Sequence, residues 1–184
     1  LAKVWENRSA DLPYHSAYEA LIVASLIESE TPISRERPLV ASVIVNRLRK
    51  GMRLQLDPTV LYGLHKRYGA QLTKADLRAR TPYNTYVIKG LPPTPIEMPS
   101  MGSLQAAVNP RKTTFLYYVA TGDGGHRFSS NYQGQLQAVK SYRKKRQAKQ
   151  AKAKKVATPV PDYLRRAQWL PWINYLFCIN CFAR

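Results

Sequence analysis

Hydrophobic residues recur at helical spacing between residues 17 and 30, and this run ends in two acids, Glu28 and Glu30. The apolar residues that share a helical stripe with Glu30 are Val23, Leu26 and Ile27. Because Pro32 stops the helix just beyond, the Glu30 carboxyl is expected at the edge of a core, where partial desolvation raises its pKa. Glu28 lies on a different stripe and is expected to be an ordinary, more exposed acid. That both are solvated acids at a helix end remains the alternative at this point.

The rest of the pattern predicts a chain of short helices and one hairpin. The predicted elements are a helix opened by the capping box Ser16–Glu19, a second helix from Ser34 to Gly51, a helix after Asp57-Pro58, a short helix from Thr73, a rigid loop over 91–96, a helix over 100–108, strands over 113–120 and 126–129, and a packed helix from Asn131. This order predicts an α+β fold in which helix predominates and the β element is small and antiparallel.

The charge is unevenly distributed along the chain. The formal net charge is +18 over 184 residues. Residues 1–139 hold 17 Lys and Arg and 10 Asp and Glu, a net charge of +7, whereas residues 140–184 hold 12 and 1, a net charge of +11. The apolar face disappears past Tyr142, so the sequence predicts one domain over residues 1–146. A basic C-terminal tail over residues 147–184 follows, as a solvated helix or a flexible extension of unknown role.

The two ends of the chain suggest a fragment without a metal site. The chain begins at Leu1 and has no apolar leader, so any membrane anchor is expected upstream. Cys178 and Cys181 are the only cysteines, and they lack the further ligands that zinc needs. An incidental apolar end is favoured over a redox or metal site there, and we expect no cofactor and no metal.

Six segments in a fixed order carry a family resemblance. They are ASLIESET (24–31), VIVNRL (43–48), GMRLQLDPTV (51–60), YNTY (83–86), GLPP (90–93) and LYYV (116–119). Over roughly residues 10–146 the chain resembles the catalytic domain of the YceG-like family of endolytic murein transglycosylases. One departure is Met98-Pro99-Ser100, where members often have Asn-Pro-Gly.

The resemblance implies a lytic enzyme with a lysozyme-like catalytic helix that acts on periplasmic peptidoglycan glycan strands. It implies attachment to the bacterial inner membrane only through an upstream anchor, with a small LysM-like domain also upstream, and work beside peptidoglycan synthases. By position in the E-x-E motif, the family's catalytic glutamate falls on Glu30.

The expected chemistry requires only one carboxyl group. Hydrolytic glycosidases usually use two carboxylates. In a lytic transglycosylase the C6 hydroxyl of muramic acid attacks its own C1, so Glu30 can protonate the leaving oxygen and then accept the C6 proton, with the N-acetyl group assisting. The side chains suited to binding the sugars are Gln55, Asp57, Tyr83, Asn84, Thr85 and Tyr86.

Each of these side chains also has a structural interpretation. The polar residues could form turns, the tyrosines could be core residues, and Asp57 before Pro58 could cap a helix. His126 could line the cleft or lie exposed on the hairpin. For the whole chain, the alternatives are a non-catalytic glycan-binding module and a basic nucleic-acid-binding protein. Nucleic acid is not expected as a partner, because no basic face interleaved with aromatic residues occurs within the predicted fold.

Overall fold

The computed structural model describes residues 1–156, in which the predicted mixture of helices with a small antiparallel sheet is confirmed. The elements are α1 (Ala2–Glu6), α2 (Ala17–Glu30), α3 (Arg37–Arg49), α4 (Asp57–Gly63), α5 (Met101–Val108), β1 (Tyr117–Ala120), β2 (His126–Ser129) and α6 (Tyr132–Val156), with 3-10 turns at Ser34–Glu36 and Asp76–Arg78. The chain forms one unit over residues 1–145 and a second from residue 146 onward.

Helix α2 is the central element of the first unit. It begins with the predicted capping box, in which Ser16 Oγ accepts from the Glu19 backbone N–H and the Glu19 carboxylate accepts from the Ser16 N–H. These bonds satisfy amide groups that have no partner within the helix. The helix is buried on almost every side, against α3, α4 and α5. Both of its predicted stripes therefore lie in the core.

Helix α3 runs beside α2 after a tight connection. A 3-10 turn at Ser34–Glu36 precedes it, so Ser34 does not cap the helix directly as expected. Pro38 lies in the first turn, where a missing N–H leaves no helical hydrogen bond unmade. Gly51 follows the last turn at φ +62°, a left-handed conformation that costs little without a Cβ. The predicted end of this helix is thus confirmed.

The loop over residues 81–86 packs closely against α4. A Cβ at Gly63 would collide with Thr81 Oγ1, so the close approach depends on the glycine. Asp57 is the first residue of α4 and makes no capping hydrogen bond, contrary to one interpretation of the sequence. Its carboxylate is therefore available for other contacts.

The hairpin is shorter than predicted but has the expected turn. Only residues 117–120 pair with 126–129, in an antiparallel register that sets Tyr118 opposite Phe128. The preceding segment, expected as strand, is instead bound to α3. Asn46 Nδ2 donates to the carbonyl oxygens of Thr113 and Phe115, each at 2.9 Å. These bonds replace strand pairing and orient the hairpin over α3.

Some predictions fall on residues outside the described range. They concern Cys178 and Cys181, and the part of the basic tail beyond residue 156. Of the predicted tail, residues 147–156 are described and continue α6. In residues 1–156, no helix combines the length and the apolar character required to cross a bilayer.

Candidate active site

Glu30 lies in a cleft of about 250 Å³ between the end of α2, the segment before α4 and the hairpin. We call this the Glu30 cleft. It is lined by Glu30, Arg47, residues 54–57, Tyr86, residues 118–120 and His126. The structure therefore brings together four of the predicted site residues, namely Glu30, Gln55, Asp57 and Tyr86.

The Glu30 carboxyl is suited to carrying a proton near neutral pH. Burial raises its pKa to about 7; the Tyr118 hydroxyl and Arg47 oppose that rise, and the negative charge of Asp57 adds to it. Glu30 Oε1 and the Tyr118 hydroxyl are both buried, and within residues 1–156 neither has a hydrogen-bond partner of good geometry. The two groups face each other closely enough for Tyr118 to affect the pKa of Glu30. A buried oxygen without a donor favours the protonated acid.

Glu28 has a different role from the one predicted. Its Oε2 accepts from the Ser100 N–H at 3.0 Å, from the Ser100 hydroxyl at 2.6 Å and from the Ser103 hydroxyl at 2.6 Å. Its Oε1 pairs with Arg37 Nη2 at 3.1 Å. Burial alone would raise the pKa of Glu28, but these donors outweigh it and lower the pKa. The expectation of an ordinary acid is wrong, since this carboxylate joins α2 to the start of α5.

Asp57 and Tyr86 form a hydrogen-bonded pair that also lines the Glu30 cleft. The Tyr86 hydroxyl donates to Asp57 Oδ1 at 2.6 Å. Burial and the neighbouring carboxylate both raise the pKa of Tyr86, so its hydroxyl remains a donor. Asp57 is exposed to the cleft. The cleft therefore holds a second carboxylate, whose negative charge acts on Glu30.

Gln55 and Arg47 also line the Glu30 cleft. Gln55 adopts φ +53°, an uncommon conformation for a residue with a side chain. Arg47 Nη1 donates to the Leu54 carbonyl at 2.7 Å and to Gln55 Oε1 at 3.4 Å, and Arg47 Nε donates to the Leu116 carbonyl at 2.7 Å. Arg47 thus joins the segment before α4 to the segment before β1. Sequence reasoning missed it, although it lies in the VIVNRL segment.

Asn84 and Thr85 support the cleft from behind and do not line it. Both side chains are 0% exposed. Asn84 Nδ2 donates to the carbonyls of residues 76, 77 and 79, and Thr85 Oγ1 accepts from the Leu56 N–H at 2.9 Å. The expectation that these two residues bind substrate is wrong in this structure, because neither reaches a cavity. They position Tyr86 and the segment before α4.

Tyr83 lies outside the Glu30 cleft. Its hydroxyl shares a hydrogen bond with Thr94 Oγ1 at 2.9 Å, and its ring meets the edge of the Tyr62 ring at 4.8 Å between centroids. The predicted contact between Tyr83 and a sugar in this cleft is therefore not present. The rigid loop over 91–96 is in contact with Tyr83 and does not line the Glu30 cleft.

His126 and Tyr118 reach the cleft from the hairpin. His126 Nδ1 lies 2.7 Å from Glu36 Oε2, and its backbone N–H donates to Glu36 Oε1 at 3.0 Å. His126 therefore lines the cleft, which was one of its two possible placements. Tyr118 lies in the LYYV segment, but strand alternation could not indicate which tyrosine faces Glu30. In the part of the chain that the structure describes, no three His, Cys, Asp or Glu side chains are grouped to bind a metal ion.

Comparisons with known proteins agree with the resemblance. The sequence profile of the YceG-like family matches residues 1–141. An endolytic murein transglycosylase of Bacillus subtilis (strain 168) is 42% identical over 127 residues, which are 69% of this chain and 35% of that protein. One from Streptococcus pneumoniae is 35% identical over 120 residues, or 62% of this chain and 22% of that protein.

A solved structure is also similar. The crystal structure of a YceG-like protein from Listeria monocytogenes matches with a TM-score of 0.61 and 41% identity, covering 65% of this chain and 39% of that chain. The chain thus spans only about a third or less of the length of the curated relatives that it matches.

Proposed function

This chain belongs to the YceG-like family, and we propose that it is the catalytic part of an endolytic lytic transglycosylase. The proposed reaction cleaves the bond between N-acetylmuramic acid and N-acetylglucosamine within peptidoglycan glycan strands and leaves 1,6-anhydro-muramic acid ends. The observation that carries the proposal is Glu30, which lines the cleft and whose pKa is raised by burial to about 7. Such an acid can both donate and accept a proton near neutral pH.

In the proposed mechanism, Glu30 acts twice. The protonated carboxyl first donates its proton to the glycosidic oxygen as the bond from C1 of muramic acid breaks. The resulting carboxylate then accepts the proton of the C6 hydroxyl as that oxygen attacks C1. The proton balance closes within one residue, so no cofactor enters the reaction. The Tyr118 hydroxyl, which faces Glu30, stabilises the carboxylate between the two steps.

Asp57, Tyr86 and Gln55 are the proposed substrate-binding groups. The Asp57 carboxylate stabilises the positive charge that develops at C1 and on the assisting N-acetyl group. Tyr86 orients Asp57 through the 2.6 Å hydrogen bond. The Gln55 amide is suited to the N-acetyl and hydroxyl groups of the sugar.

Hydrolysis is the second candidate reaction, and a specific observation favours it. Asp57 lines the same cleft as Glu30. In a hydrolytic glycosidase one carboxyl protonates the leaving oxygen and a second can activate water. Two features favour the lytic reaction. The relatives are named endolytic murein transglycosylases, and Asp57 Oδ1 already accepts a hydrogen bond from the Tyr86 hydroxyl. A non-catalytic glycan-binding module would not need a carboxyl with this pKa, and the relatives disfavour a nucleic-acid-binding protein.

Product analysis tests the proposed reaction. The purified chain would be incubated with uncrosslinked glycan strands, and the products identified by mass spectrometry. Muramic acid in the 1,6-anhydro form, on fragments released from within strands, is expected. Reducing-end muramic acid as the main product would establish hydrolysis, and release of units only from strand ends would contradict endolytic cleavage. Glu30→Gln is the control that should abolish either product.

We also propose the wider arrangement that the family suggests. The catalytic domain covers residues 1–146 and has a lysozyme-like arrangement, which is supported by an acid at the end of a buried helix beside a hairpin. Residues 147–184 form a basic tail. Upstream sequence would anchor the protein in the bacterial inner membrane with this domain in the periplasm. Peptidoglycan synthases are its proposed partners, which co-purification with the full-length protein would test.

A further inference from the structure

A second cavity of about 250 Å³ is formed by residues at the end of α2, in α4 and in the following loops. We call it the Tyr68 groove. The residues that form it include Ser29, Pro58, Tyr62, Tyr68, Ile96 and Glu97. Its position follows from the chain, because Ser29 precedes Glu30 and Pro58 follows Asp57. The two cavities therefore adjoin at the α2 end and at the start of α4.

Two exposed tyrosine rings dominate the Tyr68 groove. Tyr68 is 70% exposed and Tyr62 is 41% exposed. The Tyr68 hydroxyl donates to the Ser29 carbonyl at 2.7 Å, which fixes an otherwise exposed ring beside the catalytic helix. Tyr62 is supported by the edge contact with Tyr83. Rigid aromatic faces at a cleft bind ligands with little loss of side-chain entropy.

The charges in the groove indicate what kind of ligand it fits. Lys66, its only Lys or Arg residue, pairs with Asp76 at 2.7 Å. Burial raises the pKa of Tyr68, and the negative charges of Glu97 and Glu30 raise it further, so anionic groups face the ring. A negatively charged ligand such as a peptide carboxylate or a phosphate polymer is disfavoured there. Uncharged sugar rings, whose apolar faces cover aromatic side chains, are favoured.

We propose that the Tyr68 groove binds the glycan strand beyond the cleavage site, with Tyr68 as the stacking platform for a pyranose ring. This inference rests on the proposed function and adds a binding site to it. A strand bound in both cavities passes over Glu30, so the scissile bond lies within the strand. The groove therefore gives a physical reason for internal cleavage.

The test compares ligands of different length in a variant that cannot cleave them. Glu30→Gln serves as the background, and calorimetry measures its binding to a short and a long soluble oligomer of N-acetylglucosamine. Adding Tyr68→Ala should weaken binding of the long oligomer about tenfold and leave the short one, which fits the Glu30 cleft alone, nearly unchanged. Tyr68→Phe keeps the ring and should bind like the background. Tyr18→Ala, at the opposite end of α2 and outside both cavities, is the matched control for an exposed tyrosine.

Each other outcome overturns the proposal. Unchanged long-oligomer binding in Tyr68→Ala, equal loss for both oligomers, or no measurable binding of the long oligomer would show that the groove is not a glycan site. A loss in Tyr68→Phe equal to that in Tyr68→Ala would assign the effect to the hydrogen bond with Ser29. Strand cleavage by the unmodified chain is measured separately. If the chain cleaves strands but its binding does not depend on Tyr68, the proposed function stands and the proposed groove is refuted. If binding depends on Tyr68 but strands are not cleaved, the proposed function is refuted and the groove stands.

Discussion

At the scale of single residues, two carboxyl groups on one helix turn differ because of what each one meets. Glu28 accepts hydrogen bonds from two serines and pairs with Arg37, whereas Glu30 Oε1 has no donor of good geometry. Burial acts to raise the pKa of both carboxyls. The donors decide the sign, so the pKa of Glu28 is lowered and that of Glu30 is raised.

This difference predicts separate consequences for two isosteric substitutions. Glu30→Gln should reduce strand cleavage by at least roughly 10²–10⁴-fold while the fold is kept, because the amide cannot transfer the proton. Glu28→Gln should retain clearly more activity but lower the free energy of unfolding by about 1–3 kcal/mol through its buried network. Cleavage rates and chemical denaturation of both variants measure this, with the exposed Glu6→Gln as control. If Glu30→Gln were active and a folded Glu28→Gln were inactive, the catalytic acid would be Glu28 and the assignment to Glu30 would be wrong.

The raised pKa of Glu30 also predicts a pH dependence of stability. An unfolded Glu has a pKa of about 4.3, and the folded one titrates at about 7, so the folded state binds an extra proton between these values. That stabilisation is complete below about pH 4 and is lost as the pH rises through about 7. Glu30→Gln should therefore become more stable than the unmodified chain as the pH rises, by about 2–4 kcal/mol at pH 8.

Glu28→Gln is the matched control for this measurement, since its effect has the opposite sign. The lowered pKa of Glu28 stabilises the fold above the pKa of the unfolded side chain, and this contribution is lost as the pH falls. Thermal unfolding of the two variants across the pH range compares them directly. Parallel curves for Glu30→Gln and the unmodified chain would show that Glu30 is not desolvated.

The sequence could indicate which carboxyl has the raised pKa but not what surrounds it. The apolar stripe led correctly to a raised pKa for Glu30, but that stripe is not unique, because α2 is buried on nearly all sides. The groups that act differently on the two carboxyls are distant in the sequence. Ser100 and Ser103, which donate to Glu28, lie about 70 residues beyond it. Tyr118, which affects the pKa of Glu30, lies still further along the chain. Helical periodicity carries no information about such distant partners.

At the scale of elements, local signals predicted helix boundaries well and loop roles poorly. The capping box at Ser16 and the glycine after α3 act within a few residues, so the pattern could reveal them. The polar residues of the 81–86 loop were expected to bind sugar. Asn84 and Thr85 instead satisfy backbone groups, as a buried loop requires.

This role of Asn84 predicts a stability defect. Asn84→Ala would remove the side-chain donor to the carbonyls of residues 76, 77 and 79 and the acceptor of the Tyr86 N–H, in a partly buried loop. The free energy of unfolding should fall by about 2–4 kcal/mol. Denaturant titration measures it, and Asn7→Ala, which removes an exposed hydrogen bond to Lys3, should change stability by less than about 0.5 kcal/mol. If Asn84→Ala were fully stable but failed to bind glycan, Asn84 would be a ligand-binding residue after all.

At the scale of the whole molecule, charge and chemistry are separated along the chain. The Glu30 cleft and the Tyr68 groove are formed within residues 1–145, whereas the net charge of +11 lies after residue 139. Side chains along the described part of α6 past Tyr142 are exposed. Composition alone suggested a nucleic-acid-binding protein. The division of charge along the sequence weakened that interpretation, as did the lack of a basic face interleaved with aromatic residues in the predicted fold.

This separation predicts that the tail can be removed without loss of the reaction. Deleting residues 150–184 should leave thermal stability and strand cleavage nearly unchanged but weaken retention on an anionic polymer such as heparin, because cationic side chains supply that attraction. Replacing Arg143, Lys144 and Arg146 with Gln in the full chain is the matched control, and it should weaken retention without altering length. Lys145 is kept because it pairs with Asp123. A large fall in thermal stability on deletion alone would show that Trp169, Trp172 and Phe177 contribute to the core. Unchanged retention would place the charge responsible for adhesion within residues 1–149.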